Sequence, residues 1–398
     1  MNYLEKLASR RRFGMKPGLD SILSVCGRLG SPQEKVRAVH VAGTNGKGAV
    51  AAMLDACLGG GRYTSPHLIR LNERFFHRGA PVDDAILAEL ALRVENAAED
   101  DLTFFEALTA VAFLLYSRFP DEYTVLETGL GGRLDATNVC RSELAVITRV
   151  GLDHCDWLGG TLAEIAVEKA GIIKRGVPVV AGCNDEVVLD VLRRRAKELD
   201  APFHYAPEMV DESELPKRLP LEGTFNRENA VTALAALKVL GASADNIGKT
   251  VWPGRFQRVG RFIIDGAHNP PGARALVRSL EGRKVDLIAG FCGDKDVETV
   301  LEILKPSVRR AYAVPTVNPR SLSSQELVGR MRSQGIEADG YSSLRRALDA
   351  VGAGAYGDGE VLICGSLFLA GEALVELDAY PWGPVRFDGS ESLLAAHK

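Results

Sequence analysis

The chain has 398 residues, of which 46% are hydrophobic and 25% charged, and its formal net charge is −4. This length allows two domains with separate cores, and the charge balance gives no indication of nucleic acid or a membrane surface as a partner. No apolar run is long enough to span a bilayer, and the N-terminal stretch "MNYLEKLASRRRFGMKPGLD" lacks the apolar segment of a signal peptide. The seven cysteines are scattered without a CxxC pair, which disfavours zinc and disulfides and favours a reducing cytoplasm.

Short β-branched runs alternate with helical patterns along most of the chain. In chain order, the candidates for buried strands are "VRAVHVA", "EYTVLET", "ELAVITRV" and "VPVVAG". Between them, apolar residues recur at helical spacing in "DDAILAELALRVENAA", "FFEALTAVAFLLYSRF" and "LAEIAVEKAGIIK". This alternation predicts an α/β fold in which helices cover both faces of a parallel sheet.

The alternation is interrupted at "VWPGRFQRVG", residues 251 to 260. This stretch ends the helix candidate "NRENAVTALAALKVLG". A second alternating series then runs through "RFIID", "KVDLIAG", "RRAYAVP" and "EVLICG". The pattern predicts one domain over residues 1–252 and a smaller α/β domain over residues 253–398, with a hinge that would suit closure over substrates.

The stretch "HVAGTNGKGAV", residues 40 to 50, follows a strand candidate and leads into a helix candidate. Gly43, Gly46 and Gly48 surround Lys47, as in a loop whose N–H groups bind phosphate while the lysine reaches the β- and γ-phosphates. A glycine-rich turn with a solvated lysine is the alternative, but the strand–helix context favours a nucleotide site.

This loop departs from the usual pattern in two places. Val41 stands where the standard spacing has a glycine. Gly48 and Ala49 follow the lysine, where a serine or threonine would hold Mg²⁺. We therefore predict a shortened form of the loop, with the metal bound by residues elsewhere in the chain.

Three later segments supply candidate metal ligands: Ser65 in "YTSPHLIRLNERF", Glu127 in "LETGLGGRLDATNV" and His154 in "VGLDHCDWLGG". Because the ends of parallel strands open onto the ligand crevice, Glu127 and His154 are expected to converge beside the phosphate loop. A hydroxyl, a carboxylate and an imidazole suit Mg²⁺, which keeps several of its waters. From the residues alone, other roles remain equally open: Ser65 as a turn cap, Glu127 as the partner of an arginine and His154 as a partly buried histidine.

Taken together, the motifs resemble the folylpolyglutamate synthase/dihydrofolate synthase family, a branch of the Mur-ligase superfamily. The resemblance extends from about residue 3 to residue 372 and rests on "GTNGKG", "YTSPHLIRLNER", "ETGLGGRLDATN", "GLDHCDWLG", "EKAGIIK", "PGRFQ", "DGAHNPPGA" and "GDKDV". It implies a parallel-sheet P-loop ATPase domain of Mur-ligase type, followed by a smaller Rossmann-like ligase domain.

The resemblance assigns magnesium to Ser65, Glu127 and His154, and it matches Ala49 to a hydroxyl residue of the family's phosphate loop. It also matches Lys169, in "EKAGIIK", to a lysine that is carbamylated in the superfamily, where the carbamate supports a second Mg²⁺. Without the resemblance, Lys169 is a helix lysine with its ammonium group in solvent.

By the same resemblance, ATP is bound across the hinge. The implied contacts are Gly43, Thr44, Asn45, Gly46, Lys47, Gly48, Asn229, Arg255 and, toward the ribose, Asp265. His268 is expected to face the acyl-phosphate or the incoming amino acid. The alternatives are that Arg255 is a surface arginine, that Asp265 caps the following helix and that His268 is an ordinary histidine at a helix start. The chain reads "TFNREN" where the family often has His-Gln before the asparagine, which leaves contacts from Phe225 and Asn226 open.

The acid substrate is expected to lie between two segments. In "TFFEALTA" the matching positions are Thr103, Phe105 and Glu106, and in "GGRLDATN" they are Leu134, Asp135 and Ala136. Phe105 offers a flat face on which a pterin or benzoyl ring would stack, although an isolated "FFEALTAVAF" is also typical of a core helix. The stretch "LGGGRYTSP" looks short for the family, so the strand before Ser65 is expected to be truncated.

The implied reaction is ATP-dependent formation of an amide between L-glutamate and dihydropteroate, a tetrahydrofolate, or both, through an acyl-phosphate. Lys47, Lys169 and His268 are the expected catalytic residues, with ATP and two Mg²⁺ as cofactors. The expected partners are small molecules only, with no nucleic acid or membrane, and we expect a cytoplasmic monomer. Two alternatives remain: a Mur-type ligase for another acid, and a non-catalytic nucleotide-binding paralogue suggested by Ala49.

Overall fold

The computed structural model describes residues 18–98, 102–217, 219, 221–353 and 359–385. The first 17 residues, most of the stretch considered above for a signal peptide, lie outside this description. The chain forms two compact units. The first comprises the described parts of Met1–His67, Leu71–Pro220 and Arg227–Thr250, and the second those of Leu68–Arg70, Leu221–Asn226 and Val251–Lys398. Among the described residues, no helix is both long and apolar enough to cross a membrane.

The first unit contains an eight-stranded sheet in the order β4-β3-β2-β5-β1-β6-β7-β8. Its strands are β1 Arg37–Ala42, β2 Gly61–Tyr63, β3 Phe75–His77, β4 Ala80–Pro81, β5 Tyr123–Glu127, β6 Ser142–Ile147, β7 Val179–Ala181 and β8 Phe203–Tyr205. The six neighbouring strands β2, β5, β1, β6, β7 and β8 pair in parallel. Strands β3 and β4 extend the sheet beyond β2 in antiparallel fashion. The sequence predicted a parallel sheet and missed this antiparallel edge, because strands of two or three residues have no detectable periodicity.

The helices of this part of the chain are α1 Asp20–Arg28, α2 Lys47–Leu58, α3 Asp84–Ala97, α4 Phe104–Tyr116, α5 Cys155–Leu158, α6 Leu162–Ala170, α7 Glu186–Glu198, α8 Ala206–Met209 and α9 Thr224–Leu240. Nearly every residue of α4 is buried, which explains its apolar sequence on all sides. It packs with α1 and α3 in one core cluster, while α6 and α7 belong to a second cluster with β6 and β7. Strand β2 has three residues and is buried and paired on both sides, and its truncation relative to the family stays a prediction.

The second unit contains a six-stranded sheet in the order β13-β12-β11-β14-β10-β9. Its elements are β9 Gln257–Val259, β10 Phe262–Ile264, α10 Pro270–Leu280, β11 Val285–Ala289, α11 Val297–Leu304, β12 Val308–Ala313, α12 Ser324–Ser333, β13 Ala338–Gly340, α13 Leu344–Ala353, β14 Val361–Cys364 and α14 Leu367–Glu376. All pairs are parallel except β9 with β10. Leu287 faces the helices α10, α11 and α12, whereas its neighbour Ile288 faces α13 and α14, so helices cover both faces of the sheet.

Strand β1 is the switch point of the larger sheet. It lies between β5 and β6, which follow it in the chain on opposite sides. In such sheets the crevice opens beyond the carboxyl ends of the strands at this position. The segments that begin at Gly43, Thr128 and Thr148 therefore lie at the same edge.

Candidate active site

The phosphate loop is held in place by the segment that follows β6. The backbone N–H groups of Thr44 and Asn45 both donate to the carbonyl oxygen of Arg149, at 2.9 and 3.2 Å. The Thr148 hydroxyl donates to the carbonyl of Asn45 at 2.8 Å, and the Thr44 hydroxyl exchanges hydrogen bonds with the backbone of Gly151 at 3.0 Å. The loop is thus preorganised by its neighbours in the sheet. Thr148 and Arg149 were not among the predicted site residues, although their position directly after a buried strand beside β1 was the available signal.

Two glycines of the loop are required by close packing. A side chain at Gly43, whose φ is +154°, would place its Cβ 1.8 Å from the Thr148 hydroxyl oxygen. At Gly46, where φ is +89°, the Cβ would lie 2.2 Å from the Asn229 side-chain oxygen. The structure therefore places Asn229, a predicted ATP contact, directly against the phosphate loop.

Helix α2 begins at Lys47 with its first N–H groups available to an anion. The residue before it, Gly46, has no side chain to cap the helix, and the first N–H groups of any α-helix lack partners within the helix. The Lys47 ammonium group donates to the carbonyls of Gly43 and Thr44 at 3.1 and 3.2 Å, and so it lies at the same loop. These features fit the phosphates of a nucleotide.

Lys169 is buried at the phosphate loop and does not lie in solvent. Its side chain is 3% exposed, and its Nζ donates to the carbonyl oxygen of Gly43 at 2.8 Å. Burial disfavours the ammonium form and the positive charge of Lys47 adds to this effect, so the pKa of Lys169 falls to about 7. This placement rules out the solvated-helix interpretation and gives the lysine a substantial neutral fraction near pH 7.

Two of the three predicted metal ligands are in direct contact. The backbone N–H of Ser65 donates to Glu127 Oε2 at 3.0 Å, and Glu127 is 4% exposed at the end of β5, paired with Val41 of β1. His154 immediately precedes α5 in a left-handed conformation with φ of +52°. Its imidazole is 46% exposed and lies 3.8 Å from the Asp153 carboxylate.

The oxygen and nitrogen donors of Ser65, Glu127 and His154 suit magnesium, which keeps several waters. They suit less well a metal ion whose ligands all come from the protein. Among the residues that the structure describes, no three His, Cys, Asp or Glu side chains are grouped closely enough to hold a metal by themselves. Mg²⁺ binds through one or two carboxylates and completes its shell with water and phosphate oxygens. Glu127, buried beside the phosphate loop, is placed to act in this way.

Thr103 and Glu106 form a capping box at the start of α4. The backbone N–H and hydroxyl of Thr103 donate to Glu106 Oε2 at 2.9 and 2.7 Å, and the Glu106 N–H donates back to the threonine hydroxyl at 3.3 Å. Phe105 points elsewhere: a Cβ at Gly129 would lie 2.6 Å from its ring, whose centroid is 6.1 Å from that of Tyr63. Phe105 thus lines the "GLGG" turn, and substrate contacts from Thr103 and Glu106 stay predictions.

The carboxylate of Asp135 is engaged by its own loop. Leu130 N–H donates to one oxygen at 2.9 Å, and the N–H and hydroxyl of Thr137 donate to the other at 3.0 and 2.5 Å. Its neighbours differ in exposure, because Leu134 is 39% exposed whereas Ala136 is 5% exposed. Asp135 therefore shapes the loop, and of these three side chains Leu134 is the most open to a ligand.

In the second unit, Asp265 joins two backbone segments. Its carboxylate accepts the N–H groups of Phe256 and Ala267, each at 2.7 Å, and burial raises its pKa. The following helix is capped instead by Asn269, whose side chain accepts the Gly272 N–H at 2.9 Å. The helix-cap alternative for Asp265 is therefore wrong, and the residue holds the "PGRFQ" turn against the end of β10.

Arg255 and His268 lie on the two segments that Asp265 joins. The Arg255 guanidinium donates to the Gly254 carbonyl at 3.1 Å, and His268 Nδ1 lies 2.8 Å from the Gly266 carbonyl oxygen. For the two residues that the sequence left open, the structure shows local contacts. The Asn226 amide donates to the Glu222 carbonyl at 2.7 Å, and the Phe225 ring packs edge-on against Phe256 with centroids 6.2 Å apart.

Comparison with known proteins first defines the class. Residues 41–237 match the Mur ligase middle domain, and residues 254–367 match the Mur ligase glutamate ligase domain. The phosphate loop with its buried second lysine, on a parallel sheet, thus belongs to a Mur-type ATP-dependent ligase.

Individual relatives identify the branch. The chain is 34% identical to the dihydrofolate synthase/folylpolyglutamate synthase of Bacillus subtilis over 80% of this chain and 85% of the relative. It is 33% identical to the Escherichia coli protein of the same name over 95% of each. The structure of Escherichia coli FolC in complex with DHPP and ADP aligns with a TM-score of 0.85 at 31% identity, covering 95% of this chain and 97% of that one. Mycobacterium tuberculosis folylpolyglutamate synthase with ADP aligns at 0.84 and 31% identity, covering 95% and 99%.

The chain therefore belongs to the dihydrofolate synthase/folylpolyglutamate synthase family of Mur ligases, which confirms the resemblance inferred from its motifs.

Proposed function

We propose that this protein joins L-glutamate to dihydropteroate, to a reduced folate, or to both, in an ATP-dependent reaction that proceeds through an acyl-phosphate. The observation that carries this proposal is the buried Lys169 at the phosphate loop, where it shares the Gly43 carbonyl oxygen with Lys47. A second lysine buried beside the first favours a loop that does more than bind a nucleotide. The names of the relatives, and the complex of one of them with DHPP and ADP, support the choice of acid.

The nucleotide phosphates are proposed to bind residues 43–48. The loop is already held in place by Arg149 and Thr148, so we expect nucleotide binding to require little rearrangement of its backbone. Lys47 would exchange its loop carbonyls for phosphate oxygens. Complexes of relatives with ADP, AMPPCP and AMPPNP support the binding of a nucleotide. Roles for Arg255, Asp265 and His268 in binding ATP or the acyl-phosphate remain predictions from the resemblance.

Ser65, Glu127 and His154 are proposed to hold Mg²⁺, and a relative crystallised with AMPPNP and a manganese ion supports a divalent metal. When bound, the metal neutralises charge on the transferring phosphoryl group. Glu127 also accepts the Ser65 N–H, and this bond orients the serine segment beside the loop. We further propose that Lys169 carries a carbamate that supports a second ion. Carbon dioxide reacts only with a neutral amine, and a pKa of about 7 supplies one.

The acid is proposed to lie along the "GLGGRLDA" segment, with its aromatic part near Phe105 and Leu134. Phe105 already packs on Gly129, so its ring has a defined orientation, while Leu134 is exposed. Asp135 would act mainly by holding this segment in shape. A monomeric state, a cytoplasmic location and functional domains over residues 1–252 and 253–398 also remain predictions.

A paired substrate assay tests the proposal. ADP release is measured with Mg²⁺, ATP and L-glutamate, with either dihydropteroate or tetrahydrofolate as the acid, and the ligated product is identified by mass. We expect ADP release to require both the acid and glutamate, at one product per ADP. If neither dihydropteroate nor tetrahydrofolate supports turnover but another carboxylic acid with an amino acid does, the result would instead support a Mur-type ligase for a different substrate. Nucleotide binding without any turnover would support the non-catalytic alternative.

A further inference from the structure

His40 is an unusual residue for its position. It lies in the middle of β1, the central strand, three residues before the phosphate loop begins at Gly43, and its side chain is 0% exposed. Its neighbours Val39 and Val41 are apolar and equally buried. A buried polar group costs free energy unless it is hydrogen-bonded, so an imidazole here needs a compensating role.

The imidazole begins a hydrogen-bonded chain that leads to the acid-binding segment. His40 Nε2 lies 2.8 Å from the Thr137 hydroxyl oxygen, and that hydroxyl lies 2.5 Å from Asp135 Oδ1. Asp135 also accepts the Leu130 N–H at 2.9 Å and the Thr137 N–H at 3.0 Å. His40 and Thr137 are 97 residues apart in the sequence.

The direction of each bond follows from the acceptor at the end. Three donors point at Asp135, so its carboxylate accepts and the Thr137 hydroxyl must donate to it. The threonine oxygen then accepts from His40, which places the imidazole proton on Nε2. The other nitrogen, Nδ1, has no hydrogen-bond partner among the residues that the structure describes.

We propose that His40 is a positioning residue for the ligase reaction: through Thr137 and Asp135 it ties the segment that binds the acid to the strand that ends in the phosphate loop. The proposal rests on the proposed function, because it presumes that Leu130–Ala136 faces the acid. It assigns His40 no proton transfer and no contact with substrate. Its effect is to keep the acid carboxylate at a constant distance from the phosphates at Gly43.

The electrostatic surroundings keep this imidazole neutral. Burial disfavours its charged form and the positive charge of Lys174 adds to this, so the pKa of His40 falls to about 3. Lys174 is itself held by Asn138, whose carbonyl and side-chain oxygens lie 2.9 and 2.7 Å from its Nζ. Asp135 carries the other charge linked to His40 among the described residues, and it is reached through the Thr137 hydroxyl. We therefore expect the hydrogen bond between His40 and Thr137 to be kept between pH 5 and 9.

Because Nδ1 of His40 has no hydrogen-bond partner among the described residues, a positioning role for His40 can be distinguished from a role in stabilising the fold. A leucine at this position would fill a similar volume without an unpaired nitrogen, so His40→Leu is expected to keep or raise the thermal midpoint. His40→Gln retains an amide N–H that can reach Thr137. Thr137→Val breaks the same link at the next residue, and Thr137→Ser restores the hydroxyl. These four variants form two matched pairs.

Steady-state kinetics and nucleotide titration provide the first test. We expect His40→Leu and Thr137→Val to raise KM for the acid or lower kcat by roughly tenfold, the effect of one lost buried hydrogen bond, with the ADP Kd changed less than about twofold. His40→Gln and Thr137→Ser should recover most of this loss. Equal losses in all four variants, or a fall in thermal midpoint without a kinetic change, would overturn the proposal.

A second test does not depend on catalysis and so separates failure of this inference from failure of the proposed function. The protein has seven histidines, and the His40→Gln spectrum identifies the His40 signals by difference. We expect nitrogen-15 shifts of a neutral Nε2–H tautomer that do not titrate between pH 5 and 9. Amide exchange at Leu130 and Thr137 should be faster in His40→Leu than in His40→Gln. A titrating His40, or unchanged exchange in both variants, would contradict the link even if ligation is confirmed.

Discussion

Lys169 and Lys47 donate hydrogen bonds to the same atom, the carbonyl oxygen of Gly43, at 2.8 and 3.1 Å. Two ammonium groups on one carbonyl repel each other, and this repulsion adds to burial in lowering the pKa of Lys169. The pair would be relieved in two ways: Lys47 moves to phosphate oxygens, and Lys169 becomes neutral or carbamylated. We therefore expect the two lysines at this loop to have different roles, which separate substitutions should distinguish.

Lys47→Ala is expected to abolish ligation while leaving the fold intact. Its ammonium group donates to the loop carbonyls of Gly43 and Thr44, so we expect its loss to remove a phosphate contact with little effect on core packing. A loss of at least roughly a hundredfold in kcat/KM is expected for a group that neutralises the transferring phosphoryl. The exposed Lys197 on α7 offers a matched control, since Lys197→Ala should retain activity. Near-normal turnover of Lys47→Ala would refute the phosphate-loop assignment.

Lys169→Ala and Lys169→Arg are both expected to be inactive. A guanidinium stays cationic and cannot carry a carbamate, so arginine does not substitute for lysine here. Wild-type activity should fall in CO₂-depleted buffer and return when bicarbonate is added. A short carboxylic acid should partly rescue Lys169→Ala by supplying the missing negative charge. Full activity in Lys169→Arg would rule out the carbamate, which a carbon-13 spectrum can detect directly.

The lowered pKa of Lys169 also predicts a pH-dependent stability. Between about pH 7, its folded value, and 10.5, its unfolded value, the unfolded chain binds one more proton than the folded chain. The free energy of unfolding therefore rises with pH in this window, and the full penalty is present below about pH 7. Lys169→Met lacks the titrating group. Urea unfolding in CO₂-free buffer should show wild type gaining stability relative to Lys169→Met from pH 7 to 9, and a constant difference would contradict the burial of a titrating amine.

Glu127→Gln is expected to lose Mg²⁺-dependent activity while keeping its local structure. The amide oxygen can still accept the Ser65 N–H, while the negative charge is removed. His154→Ala should show a similar loss. Ala49→Ser restores the hydroxyl of the usual loop at a site that is 4% exposed, and its effect should be far smaller. Activity against Mg²⁺ concentration checks all three; a Glu127→Gln enzyme with unchanged metal dependence would remove Glu127 from the site.

Asp265→Asn is expected to destabilise the second unit as well as weaken catalysis. The carboxylate accepts two N–H groups, from Phe256 and Ala267, and an asparagine has only one oxygen to offer them. A buried N–H that loses its acceptor costs about 1–3 kcal/mol. Urea unfolding and the nucleotide Kd should both change. A variant with normal stability and a selective rise in nucleotide Kd would show that ribose contact, and not the turn, is its main role.

Much of the fold could be predicted because its signals are local. The apolar runs that became β1, β5, β6, β7, β11 and β14 are buried strands in sequence order, and the helical patterns between them became helices within a few residues of the predicted ends. Shorter strands such as Phe75–His77 and Gln257–Val259 have too few residues for a period and were missed. The phosphate loop between β1 and α2 was recognisable because glycine spacing and strand–helix context lie within a dozen residues.

The sequence by itself determined the order of the elements, the family and the set of candidate polar residues. Only the tertiary structure decided what each polar group touches. Lys169 meets Gly43 across 126 residues and His40 meets Thr137 across 97, and neither distance is encoded in a local pattern. Asp135 and Asp265 have carboxylates committed to backbone N–H groups, while Lys169, which resembles a solvated helix lysine, is buried. The physical reason is that a polar side chain's partners and burial, and hence its pKa, depend on which strands pair beside it, which is settled only when the sheet forms.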